Sequence, residues 1–199
     1  SFTVNDEKGF YHCFSTGEHG NIFDFLMKTQ NLKFGEAVKT LALQAGMRPY
    51  TFSKADEERE KAWKEYTGIY SEYVNFFHKE LINNSDCKNS LDYLKNRKLS
   101  LETIKSFKLG YVKKDLNLFY DLEKKFGKKS VKECGIFYFD EKKNNYVDRF
   151  RDRIIFPINS ISGLPIAIGG RIMQKNSFFA KYINSPETNF FKKGNNLYN

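Results

Sequence analysis

The sequence predicts a mixed α+β chain, with helices packed on a mostly antiparallel sheet behind a small hairpin-and-helix module. Three observations carry this expectation. Residues 1–15 alternate apolar and polar side chains around Asp6-Glu7-Lys8-Gly9, the pattern of a β-hairpin. From Ser53 to about Leu81, apolar residues recur every three or four positions, as on the buried face of a long helix. From Ile136 the period changes to two, which marks strands at 136–139, 146–151, 153–158, 165–171 and 181–184.

The elements follow in order. Phe2 and Val4 face one side of the first strand, and Phe10 to Phe14 return. Asn21 caps a helix carrying Ile22, Phe23, Phe25 and Leu26. A second helix over Gly35 to Ala45 closes at Gly46, and Pro49 breaks the chain. The long helix presents Trp63, Tyr66, Ile69, Tyr70, Tyr73, Phe76 and Phe77 to a core, while its first turns are densely charged. That stripe reads as packing rather than a base-stacking platform. Shorter helices are expected at 89–96, 101–107, 116–126 and 130–134, with Ser100 as an N-cap and Leu101, Ile104 and Phe107 on one face. Turns are expected at Glu141–Asn145 and Asn159–Gly163.

At 199 residues the chain can bury one good core or two small ones. Its 40% hydrophobic and 17% aromatic content excludes wholesale disorder. No apolar run is long enough to span a membrane. Cys13, Cys87 and Cys134 are odd in number and far apart, so a reducing cytoplasm is expected rather than a disulfide framework. Of the net charge of +9, residues 142–199 carry +7. Charge so localised points to a polyanion partner.

Four of the seven arginines, Arg149, Arg151, Arg153 and Arg171, fall within 23 residues. In one continuous strand the first three would share a face, with Phe150 and Ile154 opposite. Their planar forks suit phosphate, although a surface ladder paired with Asp148, Asp152 or Glu141 is the competing reading. Gly169-Gly170 allows a bulge or a close approach. Lys181-Tyr182-Ile183-Asn184 offers a cation, a stacking ring and an amide, and Pro186 turns the chain. These groups are expected to converge on a single basic wall. Cys13 sits beside His12 and near His19, but Thr16 occupies the place where a zinc knuckle would have cysteine. A free cysteine is the simpler reading of the residues alone. No nucleophile–base pair and no acidic magnesium motif stands out.

Taken together, SFTVN…KGFYHCFSTGEHGNIFDFLM, YLKNRKLSLETIKSFKLGYV, RFRDRIIFPI…GLPIAIGGRI and KYINSPETNFFKKGNNLY resemble bacterial replicative DNA primases of the DnaG type, in family order. The resemblance implies a zinc-ribbon remnant over residues 1–48, a linker over 49–60, and the N-terminal part of an RNA polymerase domain over 61–199. It implies an enzyme that makes short RNA primers on single-stranded DNA from nucleoside triphosphates. It also implies a monomer that meets a replicative helicase through a C-terminal domain. Arg97, Arg171, Lys181, Tyr182 and Asn184 match positions for template or nucleotide contact, as does the block of Arg149, Arg151 and Arg153. Cys13 matches the third zinc ligand and Thr16 the fourth, with His19 as a conceivable substitute; the first two would precede Ser1. Magnesium or manganese would be held by TOPRIM acidic residues beyond Asn199, so the piece is expected to be inactive alone. The rival readings are a non-catalytic single-strand-binding module, a domain that meets an acidic protein, and part of a phage or plasmid primase–helicase.

Overall fold

Tyrosine, rather than phenylalanine, dominates the buried stripe of the long helix, and the reason is polar. The structure is a computed structural model and describes residues 2–47, 53–174 and 178–195. The long helix runs Lys54–Asn83. Tyr66 donates to the Ile166 carbonyl at 2.7 Å, and Tyr70 to the Cys134 carbonyl at 2.8 Å. Tyr73 donates to the Asp148 carboxylate. Each ring buries apolar surface while its hydroxyl satisfies a group that burial would otherwise leave unpaired.

The chain divides into two units, Ser1–Arg59 and Glu60–Asn199. In the first, β1 (Phe2–Asn5), β2 (Phe10–Cys13) and β3 (His19–Asn21) form an antiparallel sheet in that order. The hairpin and its turn match expectation; β3 is too short to show a period. α1 (Ile22–Gln30) begins at Asn21, whose side chain accepts from Phe23 N and Asp24 N while Asp24 accepts from Asn21 N. α2 (Phe34–Gln44) closes through Gly46 at φ 66°. The expected break at Pro49 lies outside the described residues.

In the second unit, the part of α3 (Lys54–Asn83) from Glu60 onwards packs its stripe against a four-stranded antiparallel sheet, with further helices covering the opposite face. These are α4 (Lys88–Asn96) and α5 (Leu101–Ser106). The chain then forms β4 (Gly110–Val112), α6 (Phe119–Phe126), α7 (Lys128–Glu133), and a hairpin of β5 (Phe137–Asp140) and β6 (Asn145–Asp148). It ends with β7 (Arg153–Asn159), β8 (Pro165–Ile172) and β9 (Tyr182–Asn184). The sheet order is β4-β7-β8-β9.

Alternate residues of β7 enter different cores. Ile155 joins Tyr70, Tyr73, Phe77, Phe150 and Ile168, whereas Ile154 joins Leu81, Leu94, Ile104 and Leu109. Both sides of the sheet are therefore packed. Ser100 caps α5 by accepting from Thr103 N, but only Ile104 of the expected face is buried; Leu101 and Phe107 are exposed. Phe76 likewise lies at the edge of the α3 stripe. α6 starts later than expected because the Asn117 side chain takes Phe119 N at 3.1 Å, a local turn that competes with the helix.

The largest departure from expectation lies at 146–151. β6 stops at Asp148, and residues 149–152 form a turn before β7 begins. The buried Asp148 carboxylate accepts from Phe150 N at 2.7 Å, and Asp152 adopts φ 57°. Asp152 is held by Tyr111, whose hydroxyl donates at 2.6 Å, and by Asp152 N donating to the Val112 carbonyl. The two aspartates bind backbone and tyrosine rather than arginine, and so interrupt the expected strand. The Gly169-Gly170 pair resolves as a close approach: pairing runs through it without a bulge, and a Cβ on Gly170 would lie 2.6 Å from the Phe150 ring.

Two outcomes follow for stability. A Cβ on Gly110 would meet the Phe77 and His78 backbone at 2.9 and 3.0 Å, so Gly110→Ala should cost about 1–3 kcal/mol in denaturant unfolding; an unchanged midpoint would contradict this contact. Burial pushes the Asp148 carboxyl up to about 7 from the usual 3.8, against the opposing pull of Phe150 N, Tyr73 and Arg151. The folded state thus holds this proton more tightly than the unfolded one. Its contribution is full below the unfolded value and is lost as pH rises through about 7. Melting temperatures of Asp148→Asn and the parent should therefore shift in the variant's favour as pH rises across that window, whereas parallel curves would count against it.

Candidate nucleic-acid interface

The basic side chains do not form the single wall expected; they divide between the two faces of the β7–β8 sheet. Cross-strand pairing decides this, because directly opposed residues share a face. Arg171 lies opposite Ile154 and Tyr182, and Asn184 lies opposite Gly169. Arg171, Tyr182 and Asn184 therefore belong to the Ile154 face. Arg153 lies opposite Ile172 and belongs to the other.

On the Ile154 face, the Arg171 guanidinium carbon sits 4.2 Å from the centroid of the Tyr93 ring. Arg171 Nη1 donates to the Ile172 carbonyl at 3.1 Å. Arg97 follows Tyr93 by one helical turn at the end of α4 and is exposed. Lys181, Tyr182 and Asn184 are all exposed, Tyr182 at 64%. The rest of that motif is structural. Ser185 is fully buried, giving its N–H to the Ile168 carbonyl and accepting Ile168 N on its hydroxyl. Thr188 donates to the Tyr66 hydroxyl and accepts from Phe190 N and Phe191 N. Lys192 pairs with Glu187.

The arginine block borders a groove of about 670 Å³ lined by Lys114, Tyr138, Arg149, Arg151 and Arg153 together with Asp148 and Asp152. The turn after Asp148 aims these arginines differently from a strand. Arg149 is exposed, with Nε donating to the Gly135 carbonyl at 3.0 Å and its guanidinium 5.4 Å from the Tyr138 ring centroid. Arg151 donates through Nε to the Asp148 carbonyl and through Nη2 to the Tyr138 hydroxyl. Arg153 is only 4% exposed and gives Nη1 to the Lys181 carbonyl, so it braces β9 from beneath. Burial lowers its pKa. Among the described residues no arginine forms an ion pair with a carboxylate, so the expected ladder of salt bridges is not formed. Guanidinium edges without an anionic partner remain on both faces, and each can receive phosphate oxygens.

Sequence reasoning missed Tyr93, Tyr138 and Lys114. Tyr93 opens the YLKNRKLS block, yet only the fold brings Arg171 over its ring. Lys114 is one lysine among many, and nothing local distinguishes it.

Two family models match the chain: CHC2 zinc finger over residues 1–58, and DNA primase catalytic core, N-terminal domain, over residues 76–199. Similar curated proteins include the DNA primase of Salmonella typhimurium, 36% identical over 204 residues, covering 100% of this chain and 34% of that protein. The DNA primase of Clostridium acetobutylicum is 36% identical over 207 residues, covering 100% and 33%. The chain thus spans about a third of the length of these relatives. Among solved structures, the Aquifex aeolicus primase with its zinc-binding and RNA polymerase domains matches at TM-score 0.55 and 27% identity, over 100% of this chain and 46% of that one. A DnaG primase catalytic domain bound to single-stranded DNA matches at TM-score 0.59 and 29% identity, over 69% and 42%.

The zinc-finger family implies a zinc ion, and the described residues do not fit one. No group of three His, Cys, Asp or Glu side chains comes together among them. Cys13 Sγ instead bonds Ser15 Oγ at 3.2 Å, and hydrogen bonds from Ser15 and Thr16 hold its thiol down at about 6. His19 cannot substitute: it pairs with His12 across β2 and β3, on the face opposite Cys13, and its Nδ1 meets the Gly17 carbonyl. The three thiols differ in exposure and in acidity, since burial pushes Cys87 and Cys134 up while hydrogen bonds hold Cys13 down. Iodoacetamide should modify Cys13 in the native chain and spare the buried Cys87 and Cys134, read by peptide mass; equal labelling of all three would contradict this arrangement.

Proposed function

Because the chain belongs to the family of bacterial DnaG-type DNA primases, we propose that it is the template-binding portion of an enzyme that makes short RNA primers on single-stranded DNA. Residues 1–48 are read as the zinc-ribbon module, 49–60 as a linker, and 61–199 as the N-terminal part of the polymerase domain. The observation that carries the reading is the exposed set Arg97, Tyr182 and Asn184 beside Arg171 on one face of the sheet, with the Lys181 ammonium, whose residue faces the other way, reaching to 5.6 Å from the Tyr182 ring centroid; among the described residues none of these cations pairs with a carboxylate. Cations there neutralise phosphates, and Tyr182 offers a ring on which any base can stack. The likeness to a catalytic domain bound to single-stranded DNA supports this role.

The groove on the other face is assigned to the phosphates of the nucleoside triphosphate, through Arg149 and Arg151, with Arg153 bracing the strand above. Nucleotidyl transfer needs divalent magnesium or manganese. The described residues hold no cluster of three metal ligands, so that chemistry is assigned to a TOPRIM part of the longer enzyme. Alone, this chain would bind template and not polymerise. The same reading assigns the longer enzyme an RNA primer, a replicative helicase partner and a cytoplasmic setting. No helix among the described residues is long and apolar enough to cross a membrane.

Anisotropy of a fluorescein-labelled single strand, titrated with the 199-residue chain at several salt concentrations, tests the division. Arg97→Ala and Lys181→Ala should each lower the logarithmic salt slope by roughly 0.7, the share of one phosphate on a single strand. Arg149→Ala should leave that slope unchanged while weakening competition by a nucleoside triphosphate. Equal losses across all three variants, or none, would refute the assignment.

A further inference from the structure

Arg171 is poorly provided for. Its Nε is buried without a hydrogen-bond partner, and no carboxylate neutralises it among the described residues. Among the described residues Nη1 reaches only the Ile172 carbonyl and, at 3.7 Å, the Met173 sulfur. Its cross-strand neighbours are Ile154, in a packed core, and Tyr182, which is open to solvent. An aliphatic side chain would suit such a site better if packing were its purpose, since an unpaired buried donor is costly. Among the described residues, the feature that fits the guanidinium is the Tyr93 ring, 4.2 Å from its central carbon. A planar cation over an aromatic face is attracted by the ring and held in one orientation.

We propose that Tyr93 is a positioning residue: its ring holds the Arg171 guanidinium flat and outward for the phosphate or base of a bound single strand. The proposal rests on the template-binding reading above. Tyr93 is anchored for the task. It lies in α4, next to the fully packed Leu94, and its own ring joins the cluster around Ile154. The ring thus ties the side chain from β8 to a helix that also carries Arg97, one turn further on. With Tyr93 in place, less rotamer freedom is lost when Arg171 meets its ligand, which raises affinity without any contact from Tyr93 itself.

The test is single-strand binding by the 199-residue chain, read by anisotropy, with thermal unfolding as a check on folding. Tyr93→Leu should weaken binding about threefold to tenfold, the range of a partly desolvated cation–ring contact. Tyr93→Phe should restore it, because the ring and not the hydroxyl makes the contact. In an Arg171→Ala background, Tyr93→Leu should cause no further loss. Arg171→Lys keeps the charge and gives up the plane, so it should lose as much as Tyr93→Leu, and it serves if that variant fails to fold. Additive losses, undiminished binding by Tyr93→Leu, or parental affinity in Arg171→Lys would overturn the proposal. Parental affinity in Arg171→Ala would instead overturn the template surface on which it rests.

Discussion

The hydrogen bond from Tyr73 to Asp148 is the constraint on which the rest of the larger unit depends. The pair lies at the centre of the core, with both residues almost wholly buried. Among the described residues Asp148 has no cationic partner within ion-pair distance, so it is kept by a hydroxyl and by Phe150 N. Burial raises the pKa of Tyr73 well above its usual value and the carboxylate beside it adds to this, which keeps the hydroxyl protonated and donating. Because the carboxylate bends the backbone back onto itself, β6 ends there. Phe150 then turns inward and Arg149 outward. An unbroken strand would have put Arg149, Arg151 and Arg153 in one row; the turn gives each its own depth along the groove.

The same turn separates two basic surfaces that the sequence places close together. Arg153 and Arg171 are near neighbours across β7 and β8, yet they emerge on opposite faces because they differ by one step of pairing register. Arg153 spends its guanidinium on the Lys181 carbonyl and so fixes the start of β9. In this way a buried cation on one face sets the position of exposed groups on the other. Gly170 makes this possible, since any side chain there would displace the Phe150 ring or the Arg153 stem.

Much of the fold was legible in the sequence because strong periodicity and capping agreed with the tertiary outcome. Asn21 with Asp24, Ser53 with Asp56, and the α3 stripe each announce their element locally. β3 and β4 have three residues each and carry no period to read. The arginine block was misread for a physical reason: alternation cannot reveal that Asp148 will be buried and will stop the strand. Likewise Arg97, Lys181, Tyr182 and Asn184 were legible through their motifs. Tyr93 was not singled out, because its partner is 78 positions away in the chain and only β8 packing beside α4 brings them together.

The central claim is that a single strand lies on the Arg171–Tyr182 face and not in the arginine groove. Amide hydrogen exchange of the 199-residue chain, with and without a single-stranded oligonucleotide, tests it most directly. Slower exchange should concentrate at the end of α4 around Arg97, at Arg171 to Met173, and at Tyr182 to Asn184. Protection confined to the β5–β6 hairpin and the turn after Asp148 would contradict the account.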